Sequence, residues 1–90
     1  MQLITKEIQK KLDKNFALSK EGKDTKPVLK LFTPWGGATW LISEIEDDGD
    51  TMFGLCDLGL GHVELGYISL KELKSLSGPF GLKVERDMYF

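Results

Sequence analysis

The sequence predicts an α+β domain in which an antiparallel β-meander of four to five strands follows an amphipathic N-terminal helix. Apolar residues recur every fourth position near the N-terminus, which is a helical period. Between Pro27 and Ser69 the chain breaks into short apolar segments separated by Gly, Pro and Asp, as strands are. A Ser-x-x-Glu motif before a run of leucines then predicts a short helix near the C-terminus. The 90 residues fit one small domain, residues 1–90.

The N-terminal helix is predicted from Thr5 to Phe16. Thr5 is a suitable N-cap, because its hydroxyl can accept a hydrogen bond from an amide of the first turn. The helix carries one apolar stripe, formed by Ile4, Ile8, Leu12 and Phe16. Lysines lie on the other side, so the helix is expected to dock by its stripe and to expose its lysines to solvent.

The strands of the meander are predicted at Val28–Phe32, Ala38–Ile45, Thr51–Leu58 and Val63–Ser69, with Gly81–Arg86 as a further candidate. The second strand has apolar residues on both faces: Trp40 and Ile42 on one, Leu41 and Ile45 on the other. This pattern indicates a central strand that is covered, at least in part, on both sides.

Two local motifs set the connections. Asp48-Gly49 between two apolar segments favours a type I′ hairpin turn, in which both central residues have positive φ. Ser69 and Glu72 form a capping box that begins the second helix, Leu70–Leu76. Gly78 and Pro79 follow in the order expected after a helix end.

Composition predicts a cytoplasmic protein that is not inserted in a membrane. Hydrophobic residues make up 41% and charged residues 29% of the chain, which is ordinary for a folded soluble domain. No apolar run is long enough to span a bilayer, and the N-terminus interleaves charged and apolar residues, unlike a secretory signal. The single cysteine, Cys56, excludes an internal disulfide.

Charge is distributed unevenly along the chain. Residues 1–30 carry eight lysines and four acids, a sum of +4, whereas residues 31–90 carry four basic residues and ten acids, a sum of −6. The total of −2 argues against wrapping the whole domain in nucleic acid. It leaves open direct nucleic-acid contact by the helix lysines Lys6, Lys10 and Lys14, or an acidic surface that meets a basic partner.

Two familiar ligand motifs fail on spacing. A calcium loop with Gly49 at its sixth position would need a bidentate Glu at Leu55. A dinucleotide fingerprint that starts at Gly59 would need glycine at Glu64 and a helix after it. We therefore expect no cofactor.

Cys56, Asp57, His62 and Glu64 are the nearest approach to a catalytic or metal-binding cluster. Histidine with carboxylates can bind a divalent ion, so a small metal-dependent hydrolase or nuclease using Asp57, His62 and Glu64 is the alternative function. On one strand, however, Cys56 and Asp57 point to opposite faces. The preferred interpretation makes Cys56 a small core residue and His62 a loop residue.

The favoured hypothesis is a non-enzymatic protein with an acidic, Trp-containing contact surface. Trp35 lies in a turn beside Pro34, where an exposed aromatic side chain would serve recognition. The acids at the predicted hairpin tip complete the proposed partner contact: Glu46, Asp47, Asp48 and Asp50.

Several spaced motifs resemble a bacterial domain-of-unknown-function family, the one numbered twenty-nine fifty-eight. They cover about Lys30 to Phe90 and include Leu31-Phe32-Thr33-Pro34-Trp35, Phe53-Gly54-Leu55-Cys56-Asp57-Leu58-Gly59, Glu64-Leu65-Gly66-Tyr67-Ile68-Ser69-Leu70 and Val84-Glu85-Arg86-Asp87. The resemblance implies a small cytoplasmic protein carried on plasmids, phages and integrated elements, near conjugation or antirestriction genes. It implies no activity and therefore no catalytic residues. The expected partner is a protein or nucleoprotein, such as a component of host defence.

Overall fold

The computed structural model describes residues 2–90 and has the predicted α+β architecture. Its elements follow in the order α1 (Lys6–Lys20), β1 (Leu29–Phe32), β2 (Thr39–Ile45), β3 (Thr51–Asp57), β4 (Val63–Ser69), α2 (Leu70–Ser75), a 3₁₀ turn (Pro79–Gly81) and β5 (Glu85–Arg86). Over these residues the strands form one antiparallel sheet in the order β4-β3-β2-β1-β5. The fold class predicted from sequence is confirmed.

Helix α1 begins where it was predicted to begin and ends one turn later. The Thr5 hydroxyl accepts a hydrogen bond from the Ile8 amide at 3.2 Å. The helix continues past Phe16 because Ala17 and Leu18 favour helix, and the Lys20 ammonium lies 4.3 Å from the centre of the Phe16 ring. The prediction of an end at Phe16 was therefore wrong by four residues.

The core lies between one face of the sheet and the layer made by α1, α2 and the chain that follows α2. Leu12 of α1 is fully buried against this face. The face itself contributes its fully buried side chains from the three central strands: Leu29, Leu31, Ile42, Ile45 and Met52. Leu70 and Leu73 of α2 join the same cluster.

A β-bulge at Ser43 changes which face of β2 carries Ile45. Ile42 pairs with Gly54 and Glu44 pairs with Phe53, so Ser43 is an extra residue in β2. The extra residue returns Ile45 to the core face beside Trp40 and Ile42, and the predicted placement of Ile45 opposite them was wrong. The Asn15 side chain donates to the Ser43 carbonyl oxygen at 2.9 Å and so ties α1 to the bulge.

The β2–β3 turn is not the predicted type I′ turn. Among its residues Gly49 has positive φ (69°) and Asp48 does not. The Gly49 amide donates to the Glu46 carbonyl at 3.0 Å, and the Glu46 amide donates to the Thr51 carbonyl at 2.8 Å. The loop between the bonded residues Glu46 and Thr51 is therefore longer than two residues, and within it the Asp48 side chain accepts hydrogen bonds from the amides of Asp50 and Thr51.

The segment after α2 crosses to the other edge of the sheet, where β5 pairs with β1. Gly78 lies against the Trp35 indole so closely that a Cβ there would come 2.2 Å from its Cδ2 atom. Of the predicted final strand, Gly81 belongs to the 3₁₀ turn and Lys83 to the isolated Ser77–Lys83 bridge. That strand is therefore confined to Glu85 and Arg86.

The second face of the sheet is not covered by a helix within residues 2–90. The described segments that reach it include the C-terminal end of α1 at Ser19 and the α1–β1 loop, where the Thr25 hydroxyl donates to the Glu44 carboxylate at 3.0 Å. The expectation that β2 is covered on both sides therefore holds at one end of the strand only. Among the described residues, no helix combines the length and apolarity needed to span a membrane.

We predict that Gly54→Ala destabilises the fold, because its Cβ would lie 2.0 Å from the Leu41 carbonyl oxygen at the bulge. We expect a loss of at least about 2 kcal/mol in the free energy of unfolding, measured by urea denaturation. The matched control is Gly66→Ala, since no atom lies within 4 Å of the Cβ position and φ is not positive. Equal stability of the two variants would contradict the bulge geometry.

Candidate binding surface

The uncovered face of the sheet presents a continuous row of apolar side chains. We name it the open face and define it by Leu41, Phe53, Leu55, Val63, Leu65 and Tyr67. The outermost strand is the most exposed, with Val63 at 54%, Leu65 at 64% and Tyr67 at 72% exposure. Because strand residues alternate between faces, the same register that buries Met52 directs Phe53 and Leu55 to this side.

The open face is held in shape by cross-strand contacts. Phe53 and Tyr67 are directly opposite in β3 and β4, and their rings meet edge-on with centroids 5.2 Å apart. Such aromatic pairs contribute about 0.5–1.5 kcal/mol beyond the area they bury. Beside them, a groove of about 460 Å³ runs between Leu55 and Leu65 and the Lys23–Pro27 segment. The surface is therefore preformed and concave along one side.

The acids of the hairpin tip are partly used within the fold. Asp48 accepts hydrogen bonds at Oδ1 from the amides of Asp50 (2.9 Å) and Thr51 (2.8 Å), and at Oδ2 from the Thr51 hydroxyl (2.6 Å). These bonds, chiefly the one from the Thr51 hydroxyl, lower the pKa of Asp48. Both carboxylate oxygens thus stabilise the turn.

Asp50 caps α2 from outside the helix. Its Oδ1 accepts from the Lys71 amide at 2.7 Å, and the Ser69 hydroxyl donates to the same carboxylate at 3.0–3.1 Å. The Ser69 oxygen in turn accepts from the Glu72 amide at 3.3 Å, which is one half of the predicted capping box. A carboxylate at a helix N-terminus also interacts favourably with the helix dipole. Asp50 therefore joins the β2–β3 hairpin to α2.

The remaining members of the predicted contact surface are differently placed. The Asp47 carboxylate lies 3.6 Å from the Lys20 ammonium, and its side chain is 88% exposed. Glu46 is half-buried. Trp35 is half-buried as well, packed against the core and Gly78. Among the four acids of the predicted contact surface, the carboxylates of Glu46 and Asp47 take no part in the hydrogen bonds that Asp48 and Asp50 accept within the turn and at α2.

The residues of the hydrolase alternative are not brought together. The His62 Nε2 atom lies 3.6 Å from the Glu64 carboxylate. Asp57 faces the opposite side of the sheet from Glu64, because Cys56 pairs with Glu64 and Asp57 with Val63. The Asp57 carboxylate accepts instead from the Gly59 amide at 2.9 Å. Within residues 2–90, no group of three or more His, Cys, Asp or Glu side chains is arranged to hold a metal ion.

Cys56 is half-buried beside Trp40 and at the edge of the core. Burial is the main cause that raises the pKa of its thiol, and the nearby carboxylates of Glu64 and Asp57 act in the same direction. A hydrogen bond from Trp40 opposes them in part. The thiol is thus held protonated, the reverse of what activates a cysteine nucleophile.

The helix lysines are solvent-exposed, as their pattern predicted. Lys6, Lys10 and Lys14 lie on α1 at intervals of one turn, away from the core. Glu7 and Asp13 lie on the same helix and interrupt its positive charge.

Sequence reasoning missed the open face itself. The predictions from sequence did not include an exposed apolar surface formed by Val63, Leu65 and Tyr67 of β4. The available signal was the number of covering elements. The two α-helices of residues 2–90 form one layer, so apolar residues on the other face of the sheet are left to meet solvent or a partner.

The chain matches, over residues 3–90, the family model described as protein of unknown function (DUF2958). The chain belongs to this family. No curated protein and no solved structure matched in the two other searches. The DUF2958 description names no activity or ligand, so the surface residues above are assigned from geometry alone.

We predict that Asp50→Ala destabilises this DUF2958 protein by about 1–2 kcal/mol, within the roughly 0.5–2 kcal/mol observed for loss of a helix cap. The amide of Lys71 would lose its acceptor, and Ser69 would lose its partner. The control is Asp47→Ala, which removes an exposed ion pair and should change stability by less than about 0.5 kcal/mol. Urea denaturation of both variants measures the difference. A larger loss at Asp47 than at Asp50 would contradict the assignment.

Asp48 gives a separate, pH-dependent prediction. Its folded-state pKa is lowered, so its stabilising effect is complete above the unfolded pKa and is lost as pH falls through the folded pKa. The stability difference between the natural protein and Asp48→Asn should therefore shrink over the acid range below the ordinary aspartate pKa of 3.8. Chemical denaturation at several pH values measures it, with Asp47→Asn as control. A difference that is constant over this range would refute the role of the ionised carboxylate.

Proposed function

We propose that the protein is a non-enzymatic binding protein that occupies a surface of a protein or nucleoprotein partner through its open face. The observation that carries the proposal is the exposure of Val63, Leu65 and Tyr67 in one row. Soluble monomeric proteins rarely expose large contiguous apolar patches, and such patches mark interaction sites.

Charge supports a basic partner. Residues 31–90, which supply the whole open face, sum to −6 from ten acids and four basic residues. Glu44 and Asp57 lie on this face of the sheet at opposite ends of the apolar row. An apolar centre with an acidic rim fits a partner surface that has apolar groups surrounded by lysine or arginine.

The contact predicted from sequence forms the second part of this proposal. Glu46 and Asp47 have carboxylates available for a partner, whereas Asp48 and Asp50 act through the shape of the turn. Trp35 contributes through the part of its ring that solvent reaches. Direct contact with nucleic acid would fall to Lys6, Lys10 and Lys14 on α1, and would weaken steeply with salt.

The proposed setting is a mobile genetic element, in which the protein is an accessory that binds a component of host defence. This setting rests on the family resemblance and not on the geometry. The hydrolase alternative lacks a converged set of Asp57, His62 and Glu64 and is not the function that we favour.

The proposal predicts that Leu55→Lys abolishes partner binding, because it places a positive charge at the centre of the open face against a basic partner. Leu55 lies on β3, away from the sheet edge. The matched control is Leu76→Lys, another leucine that solvent reaches, in the segment after α2. Immobilised protein and both variants are exposed to bacterial lysate, and bound proteins are identified and quantified by mass spectrometry.

We expect the natural protein and Leu76→Lys to retain the same basic protein, and Leu55→Lys to retain at least about tenfold less of it. Thermal melting checks that both variants are folded. Capture that is unchanged in Leu55→Lys, or that yields only acidic proteins, would contradict the proposal.

A further inference from the structure

Strand β4 ends the sheet, and no residue between 2 and 90 pairs with its outer edge. Natural edge strands are usually protected by Pro, by Lys, by a bulge or by a covering segment. β4 has no Pro, no Lys and no bulge, and Glu64 is its one charged residue: its sequence is Val63-Glu64-Leu65-Gly66-Tyr67-Ile68-Ser69, and it pairs with β3 without a register shift. The edge is therefore available for further pairing along its full length.

The hydrogen-bond pattern determines which backbone groups face outward. The Leu70 amide donates to the Asp50 carbonyl at 2.9 Å, and antiparallel pairs alternate between bonded and non-bonded. Glu64, Gly66 and Ile68 therefore bond to β3. Val63, Leu65, Tyr67 and Ser69 direct their amides and carbonyls to the free edge. The bond from the Glu46 amide to the Thr51 carbonyl directs the backbone groups of Thr51 toward β2. Every second residue of β3 then bonds to β2 and the residues between them bond to β4, which agrees with this pattern.

We propose that β4 pairs antiparallel with β4 of a second copy of this chain, about a two-fold axis at Gly66. Pairing of identical antiparallel strands is isologous, so one position must lie on the axis. An axis at Gly66 pairs all seven residues of β4. Leu65 then lies opposite Tyr67 of the second copy. In this register the amides and carbonyls that face outward in one copy meet those that face outward in the other.

The charge of β4 favours an axis at Gly66 over an axis at Glu64. Glu64 is the only charged residue in the strand. An axis at Glu64 would place two carboxylates directly opposite each other, which is destabilising. With the axis at Gly66, Glu64 lies opposite Ile68 of the second copy, and the two Glu64 residues are separated by four residues, about 13 Å.

The environment of Gly66 agrees with this placement. In the single chain no atom lies within 4 Å of the Cβ position that a side chain would occupy, and φ is not positive. Folding of one copy therefore does not require glycine there. On the axis, two Gly66 residues would form a non-bonded pair with Cα atoms about 4.5 Å apart, where two side chains of like charge would repel each other.

The dimer goes beyond the proposed function, because it uses the edge of β4 and leaves the open face available. It joins the open faces of two copies into one surface. A seven-residue strand pair is small beside the roughly 1,200–2,000 Å² of a stable interface, so we expect dissociation in the micromolar range or above.

Sedimentation from about 1 μM to about 1 mM tests the dimer in the full chain. The natural protein and Gly66→Gln should show a reversible monomer–dimer equilibrium, whereas Gly66→Glu should associate at least about tenfold more weakly. Gly66→Gln is the neutral control of the same size, and circular dichroism checks that each variant is folded. A natural protein that is monomeric throughout, or a Gly66→Glu that associates normally, overturns the proposal and leaves the edge to a strand of another protein.

Cross-linking tests the position of the axis independently. In a Cys56→Ser background, Gly66→Cys should form an intermolecular disulfide on mild oxidation, because the two Cα atoms fall within the roughly 4.4–6.8 Å that a disulfide bridges. Glu64→Cys should not, since its two copies are too far apart. Non-reducing electrophoresis and intact mass measure the product. Faster cross-linking through Glu64→Cys than through Gly66→Cys would overturn the proposed register.

Discussion

The bulge at Ser43 is the constraint on which the layered structure depends. It inserts one residue into β2 and so places Ile45 on the same face as Trp40 and Ile42. Ile45 is 1% exposed, and burial of such a side chain stabilises the fold by about 1.5–3 kcal/mol. The β3 residue that pairs with Ile42 next to the bulge must be glycine, because the β2 backbone occupies the space that a side chain at Gly54 would need. Asn15 then fixes α1 over this point.

One covered face and one open face follow from that arrangement. The helices and the crossing segment converge on the face that the bulge completes, and the polar tip of the β2–β3 hairpin is tied to α2 through Asp50. Within residues 2–90, the opposite face retains its apolar residues without a helix layer. The function that we propose for this protein accordingly uses recognition by a sheet surface.

The sequence predicted the elements well because their signals are local. The Thr5 cap, the capping-box serine and all seven residues of β4 depend on neighbours in the chain, and each is found where it was expected. The bulge could not be predicted, because it depends on the approach of Gly54 to β2. The roles of Asp48 and Asp50 depend on contacts with Thr51 and α2, which composition does not reveal. The exposure of Val63, Leu65 and Tyr67 depends on which faces the helices leave open.

The most direct test of this account is amide hydrogen exchange along β4, read residue by residue in dilute protein. The account predicts alternation: the amides of Glu64, Gly66 and Ile68 are protected by β3, and those of Val63, Leu65 and Tyr67 exchange rapidly at the free edge. Uniform protection of all six amides would contradict the free edge, and the opposite alternation would contradict the register on which both the open face and the proposed dimer depend.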